Sequence, residues 1–431
     1  MLKHLGPGLI ITASIVGSGE LIVTTSVGAE VGFTLLWFII IGCLVKVFVQ
    51  VELGRNAILE GITTLEIFDR MPGPRFIVSW IVWLWLCMFI AVFFQASGII
   101  GGAAEVFFAG RGEGARVFWV IAVAASGAGL LLWGKYWLIQ NFSTAMVALF
   151  TVFTVLAVGA LARTEYAISW EQIASGLSFQ LPADITTAVA AFGIIGVGAT
   201  ELVYYPYWCV EKGYARYVGT RQEDDPAWEA RARGWLRVMR CDAWLSAVVY
   251  TGATIAFYLL GAAVLHAGHL EVTDNDMIAT LSQMYQKSFG AGGLWLFLCG
   301  AFMVLYSTFF VATASNARLL SHALSLFRVV RYKDDRQRQM VTRGACVFLP
   351  ALGAAIYLSG VAAGAGSVTL VKIGAVAQAL MLTPLAFCGV YLRYKRTPRV
   401  LAPGVVWDIF LWLSGVSIAT VGLYKFYQMV R

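Results

Sequence analysis

The chain has 431 residues, of which 59% are hydrophobic and only 13% are charged. A soluble domain does not need so apolar a composition, and many of the hydrophobic stretches reach the roughly 20 residues that a membrane-spanning helix requires. The net charge of +7 does not indicate a nucleic-acid-binding protein, because the basic residues fall mainly between these stretches. The composition predicts an all-α integral membrane protein whose partner is the lipid bilayer and not a nucleic acid.

The sequence does not predict an enzyme. It contains no phosphate-binding loop and neither of the hydrolase motifs G-x-S-x-G and H-E-x-x-H. The seven cysteines include no C-x-x-C pair, so we interpret them as small packing residues. We therefore expect no resident cofactor, and the only metal that we expect is a transported cation.

The hydrophobic spans predict the topology. Eleven spans are predicted, at 8–30, 33–54, 76–108, 117–134, 137–162, 187–210, 241–265, 291–316, 345–362, 366–391 and 405–428. The Arg-rich segments 211–240 and 318–343 fall on the same side as the N-terminus, and basic loops accumulate in the cytoplasm. We therefore predict a multi-pass protein of the bacterial plasma membrane with a cytoplasmic N-terminus and an external C-terminus. Short helices are predicted in two loops, an amphipathic one at 220–237 and a surface one at 275–289.

The first span carries a carboxylate at its centre. The sequence Gly17-Ser-Gly19-Glu20 places two glycines directly before this residue. Glycine in a helix interior costs about 1 kcal/mol, so the helix is expected to open here and free backbone carbonyls. An ionised carboxylate at this depth costs about 2.5–3.5 kcal/mol on insertion scales and is by default a functional-site hypothesis.

The sixth span has a similar pattern, a glycine shortly before a carboxylate, in Gly198-Ala199-Thr200-Glu201-Leu202. Interrupted segments at corresponding positions of two halves indicate the midplane site of a transporter. The topology gives the two spans opposite directions, which predicts a five-plus-five inverted repeat with an added helix. We expect one transport domain over 1–431, with repeats at about 8–162 and 187–391 and the added helix at about 405–428. Glu20 and Glu201 should approach each other near the midplane.

Several motifs resemble one transporter family, the Nramp (SLC11) divalent-metal transporters. They are GPGLIITAS at 6–14, VGAEVGFTLLW at 27–37, GIIGVGAT at 193–200 and the R-x-x-R-C-D-A run that ends at Ala243. Gln50 in the second span also fits. The resemblance covers most of the chain and implies a LeuT-type fold of eleven or twelve spans, with the first and sixth interrupted.

The metal-binding residues of the family are not conserved in this sequence. A gapless alignment through 27–37 places the family's metal-binding Asp on Gly17 and its Asn on Glu20. In the sixth span the metal-binding Met falls on Leu202 and the following His on Tyr204. The third-span acids that couple transport to protons fall on Gln95 and on Gly98, neither of which can carry a proton. The tenth-span Gln falls on or near Lys372.

These departures favour a hard cation. Methionine sulfur suits soft transition metals, whereas carboxylate, carbonyl and water oxygens suit Mg²⁺ or Mn²⁺. We predict that Glu20 and Glu201 bind the ion and that the residues around them line the site, namely Gly17, Gly19, Ala199, Thr200, Leu202 and Tyr204. Two alternatives remain open: a transporter of a small organic zwitterion or amine, and a transport-inactive scaffold or sensor.

Two lysines lie within predicted spans. Lys372 either reaches the surface or places its ammonium beside the glutamates, which would argue against a metal. Lys46 lies deeper and is expected to pair with a carboxylate of the bundle, so Lys46, Lys372 and Gln95 are candidates for charge compensation or coupling. His266 and His269 have the i, i+3 spacing of helical ligands, but two ligands in an outer loop do not predict a metal site.

Overall fold

A computed structural model describes residues 6–109, 111–133, 136–182, 186–221, 225–274 and 276–430. The helices of the first half are α1 (Pro7–Ile15), a π-helical segment (Gly19–Thr24), α2 (Thr25–Val31), α3 (Leu36–Glu60), α4 (Thr64–Asp69), α5 (Trp80–Phe108), α6 (Glu113–Trp133), α7 (Tyr136–Leu161) and α8 (Trp170–Gly176). Two short antiparallel strands, β1 (Arg75–Phe76) and β2 (Val78–Ser79), precede α5.

The second half is also helical. Its helices are α9 (Thr186–Phe192), α10 (Ala199–Glu211), α11 (Tyr214–Val218), α12 (Pro226–Leu260), a second π-helical segment (Gly261–His266), α13 (Met277–Phe289), α14 (Ala291–Leu326), α15 (Asp335–Ala362), α16 (Ser367–Lys395) and α17 (Val405–Val430). A 3₁₀ turn at Arg399–Leu401 precedes the last helix.

The helices coincide with the predicted spans, and the all-helical fold is confirmed. Among the described residues, eight helices are long and apolar enough to cross a membrane. Helix α1 and the segment Gly19–Val31 form a ninth, bent by 41°. The sixth predicted span consists of the two shorter helices α9 and α10, separated by a break. Both interruptions therefore occur where glycines precede a carboxylate.

Two loop predictions need correction. The segment 220–237 forms no separate amphipathic helix, since α12 begins at Pro226 and continues into the seventh span; residues 222–224 of this prediction lie outside the described part. Asp225 accepts a hydrogen bond from the backbone of Ala227 and so begins α12. The predicted surface helix at 275–289 is α13, but one of its faces is buried, with Met277 and Leu281 in the core.

Helix α1 is fixed at both ends by distant parts of the chain. At its beginning, the Asp242 carboxylate of α12 accepts hydrogen bonds from the backbone nitrogens of Gly6, just before the helix, at 3.0 Å and Gly8, in its first turn, at 2.6 Å. The bond to Gly8 satisfies a donor that the first turn of a helix leaves free. At the break, a Cβ on Gly17 would lie 1.7 Å from Thr308 Oγ1 of α14. Glycine is therefore required there for the close approach of the two elements.

Candidate functional site

The first break places Glu20 in the interior of the bundle. Helix α1 ends at Ile15, and the chain resumes as the π-helical segment Gly19–Thr24 with Glu20 in its first turn. Short π-helical segments occur frequently at functional sites. The side chain is fully buried. Its Oε1 accepts hydrogen bonds from the Gly196 backbone at 3.2 Å and from Thr254 Oγ1 at 3.0 Å.

The second carboxylate oxygen of Glu20 has an unusual environment. Among the described residues, Oε2 is buried and has no hydrogen-bond partner. Buried polar atoms are normally paired, and an orphaned one calls for a specific explanation such as an ion or a water molecule. An oxygen of this kind is suited to bind a cation.

The second break places Glu201 at the start of a helix. Helix α9 ends at Phe192 and α10 begins at Ala199. Between them Gly196 has a φ of +61°, which favours glycine. Glu201 lies in the first turn of α10, where the helix dipole favours a negative charge. Its Oε1 accepts a hydrogen bond from Ser14 Oγ of α1 at 2.7 Å.

Each carboxylate is therefore bonded to the other broken span. Glu20 of the first span accepts from Gly196 in the break of the sixth, and Glu201 of the sixth accepts from Ser14 in the first. The backbones also meet, since a Cβ on Gly19 would lie 3.1 Å from the Ile194 carbonyl oxygen. The two breaks form one buried polar site in the middle of the bundle.

A chain of polar side chains extends from Glu201 to the third span. The Thr200 hydroxyl lies 2.8 Å from Glu201 Oε2 and 2.9 Å from Gln378 Oε1 of α16. The Thr200 backbone nitrogen also donates to Gln378 Oε1, at 3.1 Å. Gln378 Nε2 then donates to Gln95 Oε1 of α5 at 2.7 Å. This chain joins three spans at the site.

Gln378 was not identified from the sequence. The family resemblance placed the tenth-span amide on or near Lys372, six residues earlier, which at 100° per residue is on a different side of α16. Lys372 is half-buried and forms no hydrogen bond or ion pair with the described residues. The signal that could have identified Gln378 was an amide within an otherwise apolar helix.

Lys46 binds backbone, which corrects the prediction that it pairs with a carboxylate. It is fully buried on α3, and its ammonium donates to the carbonyl oxygens of Phe192 and, at 2.6 Å, of Ile195. It also lies 4.4 Å from the centre of the Phe192 ring. The carboxyl end of a helix has unpaired carbonyls and a negative dipole end, which attract a cation. These carbonyls were expected to be open to an ion, but Lys46 occupies them.

The remaining predicted residues lie around the two breaks. Leu202 is fully buried in α10, which Ala199 begins. Tyr204 Oη donates to Asn316 Oδ1 of α14 at 2.7 Å. At the end of the second π-helical segment, away from both breaks in the sequence, His266 Nδ1 lies 2.8 Å from the Ala29 carbonyl oxygen. The described residues include no group of three or more His, Cys, Asp or Glu that could hold a metal ion, so hydroxyl, amide and carbonyl oxygens would complete any cation site here.

Beyond Glu201, α10 is bonded to α14 as it runs towards the Arg-rich segments. Trp208 Nε1 donates to Ser315 Oγ of α14 at 3.0 Å. One turn further, Arg318 forms a two-bond ion pair with Glu211, at 2.7 and 3.0 Å. Because α10 carries Glu201, these contacts with α14 hold the carboxylate in its buried position.

Two interrupted helices that meet at a buried polar site define the class of protein as a secondary transporter of LeuT-type fold. The family model described as natural resistance-associated macrophage protein-like matches residues 8–428. The chain therefore belongs to the Nramp family of metal-ion transporters and is a multi-pass membrane transporter, not an enzyme.

Solved structures share this fold. The Eremococcus coleocola manganese transporter in complex with an aromatic bis-isothiourea substituted compound is 15% identical, with a TM-score of 0.69 and coverage of 98% of this chain and 86% of that one. Mhp1, a nucleobase-cation-symport-1 family transporter, is 14% identical, with a TM-score of 0.60 and coverage of 98% and 90%. Among curated proteins, the uncharacterized protein PM0681 of Pasteurella multocida is 25% identical over 96% of this chain and 89% of its own length.

Proposed function

We propose that this transporter moves a hard divalent cation, Mg²⁺ or Mn²⁺, by alternating access around Glu20 and Glu201. The observation that carries the proposal is the buried Glu20 Oε2, which has no partner among the described residues. The groups bonded to the two carboxylates through their side chains are hydroxyls, from Ser14, Thr200 and Thr254. Oxygen donors of this kind suit hard cations.

The residues that replace the family's ligands support the same preference. Leu202 stands where the family has its metal-binding methionine, and a leucine side chain offers no ligand atom. A soft metal therefore loses the sulfur that would select it. Lys46 lies close enough to interact electrostatically with both glutamates, but its hydrogen bonds go to the carbonyls of Phe192, at the end of α9, and of Ile195, in the break that follows. The carboxylates thus remain for the cargo.

We propose a cytoplasmic N-terminus and an external C-terminus in a plasma membrane. The two Arg-rich segments meet at one end of the bundle, where Arg318 forms its ion pair with Glu211; Arg233 also donates there to the Val400 carbonyl at 3.5 Å. Asp242, directly after the first of these segments, accepts a hydrogen bond from Gly6 and so places the beginning of α1 at the same end of the bundle. The positive-inside rule assigns this end to the cytoplasm. Two inverted repeats, about 8–162 and 187–391, would then alternate access, with the helix 405–428 added.

Calorimetric titration of the purified protein tests the choice of cargo. We expect saturable binding of Mg²⁺ or Mn²⁺ and much weaker binding of the soft ion Cd²⁺, because Leu202 offers no sulfur at the position of the family's methionine. Amino acids serve as the comparison for organic zwitterions. Binding of an amino acid without binding of any divalent cation would contradict the proposal and favour an organic solute.

Proton coupling is expected to be weak or absent. Gln95, at one of the family's acidic positions, accepts a hydrogen bond from Gln378 and cannot carry a proton. At the other position, a Cβ on Gly98 would lie 2.7 Å from the Ser367 carbonyl oxygen, so no acidic side chain fits there. In proteoliposomes we expect Mg²⁺ or Mn²⁺ uptake without matching acidification of the interior. Acidification in proportion to uptake would overturn this prediction.

A further inference from the structure

A cleft at the Arg-rich end of the bundle has features that cation transport does not use. It is a cavity of about 470 Å³ between the ends of α6, α10, α14 and α15. Its lining includes basic side chains, from Arg318 on α14 and from Arg338 and Arg343 on α15. The end of α6 contributes Leu132 and Trp133 to the lining. We call this cavity the Arg-rich cleft.

The Arg-rich cleft retains positive charge after its internal pairs are formed. Glu211 is occupied by its two bonds to Arg318. Arg338 donates one hydrogen bond to Tyr207 Oη at 3.0 Å, and neither Arg338 nor Arg343 forms an ion pair with the described residues. Asp335, the only other acid among the described lining residues, offsets one of these two charges. One guanidinium charge is therefore available for an anion.

The same cleft borders the surface that faces the bilayer. Trp133 is 85% exposed. Phe348, which lies further along α15 and outside the cleft lining, is 58% exposed. Exposed tryptophan at the end of a membrane-spanning helix is typical of the level of the lipid headgroups. A ligand in the cleft would therefore contact guanidinium groups and also lie beside side chains at the level of the lipid headgroups and acyl chains.

We propose that the Arg-rich cleft binds the headgroup of an anionic phospholipid. Guanidinium groups bind phosphate oxygens by paired, charge-assisted hydrogen bonds. Basic pockets between membrane helices are known to hold anionic headgroups. The cleft lies beside Glu211 and Arg318, which join α10 to α14, so a bound lipid would rest against the helix that carries Glu201. This proposal concerns lipid binding and does not depend on the identity of the cargo.

Native mass spectrometry and thermal unfolding of the full-length protein in detergent test the proposal. The probes are phosphatidylglycerol, phosphatidylcholine with the same acyl chains, and inorganic phosphate. We expect phosphatidylglycerol to bind and to raise the unfolding midpoint more than either other probe. Arg343→Gln should weaken this binding about fivefold, the equivalent of the roughly 1 kcal/mol that one basic side chain contributes near an anionic surface.

Arg336→Gln is the matched control, because Arg336 lies on the same helix and carries the same charge but does not line the cleft. Its affinity for phosphatidylglycerol should equal that of the wild type. Equal losses in both variants would show general attraction to a basic surface and overturn the proposal. Equal effects of the two lipids, or protection by inorganic phosphate as strong as that by phosphatidylglycerol, would also overturn it.

Discussion

Replacing either Glu20 or Glu201 by glutamine will abolish detectable binding of the divalent cation while the protein stays folded. The substitution hardly changes side-chain volume but removes one of the two formal charges that the proposed site offers to a cation, and both carboxylates are buried. Loss of a buried charged interaction costs about 2–5 kcal/mol, which is roughly 30-fold to several-thousand-fold in affinity. Calorimetric titration of wild type, Glu20→Gln and Glu201→Gln with Mg²⁺ and Mn²⁺ measures the effect.

Glu30→Gln provides the control for this pair. Glu30 lies on α2 in the same interrupted span as Glu20, but its side chain is exposed. Its removal changes the net charge equally and should leave cation affinity unchanged. Thermal unfolding of all three variants checks that they are folded. Unaltered binding in both site variants, or no cation binding in the wild type, would rule out the metal site.

The sequence was sufficient to predict both interruptions, because a carboxylate after glycines in an apolar span is costly unless the helix opens. It could not predict which atoms the carboxylates bind. In the sequence, Ser14 and Thr254 do not differ from other serines and threonines of membrane helices. Such side chains commonly form hydrogen bonds to the backbone of their own helix. Thr254 Oγ1 also lies 2.8 Å from the Tyr250 carbonyl oxygen, so its single proton is shared between that oxygen and Glu20. Only the packing of α12 against the first break turns it towards Glu20.

The sequence also could not predict which groups the ammonium groups of Lys46 and Lys372 contact. Both lie in apolar helices, and depth in a span cannot tell whether an ammonium meets a carboxylate, a carbonyl or water. The acceptors of Lys46 become available only because α9 ends at Phe192, next to α3 in the fold. Gln378 was missed for a related reason: the tenth-span alignment lacked a fixed motif, and the residue's role depends on Thr200 in another repeat.

Replacing Lys46 by methionine is expected to lower stability and to raise cation affinity. Methionine keeps the apolar stem but removes the ammonium, so the carbonyls of Phe192 and Ile195 lose their donor. Each buried acceptor left unpaired costs about 1–3 kcal/mol, which should lower the midpoint of thermal unfolding. At the same time, a positive charge that interacts with both glutamates disappears. Affinity for the divalent cation should therefore rise at least about tenfold, or about 1.4 kcal/mol.

Lys372→Met separates this effect from a general loss of charge. Lys372 is half-buried on α16 and bonds to none of the described residues, so its replacement should change neither stability nor affinity by much. A Lys46→Met protein as stable as the wild type would contradict a role of the ammonium in holding the sixth-span break. Unchanged affinity in that variant would show that the charge does not act on the carboxylates. If Lys372→Met raised the affinity instead, Lys372 would be the residue whose charge compensates the carboxylates. The Lys46 ammonium would then only donate hydrogen bonds to the carbonyls at and after the end of α9.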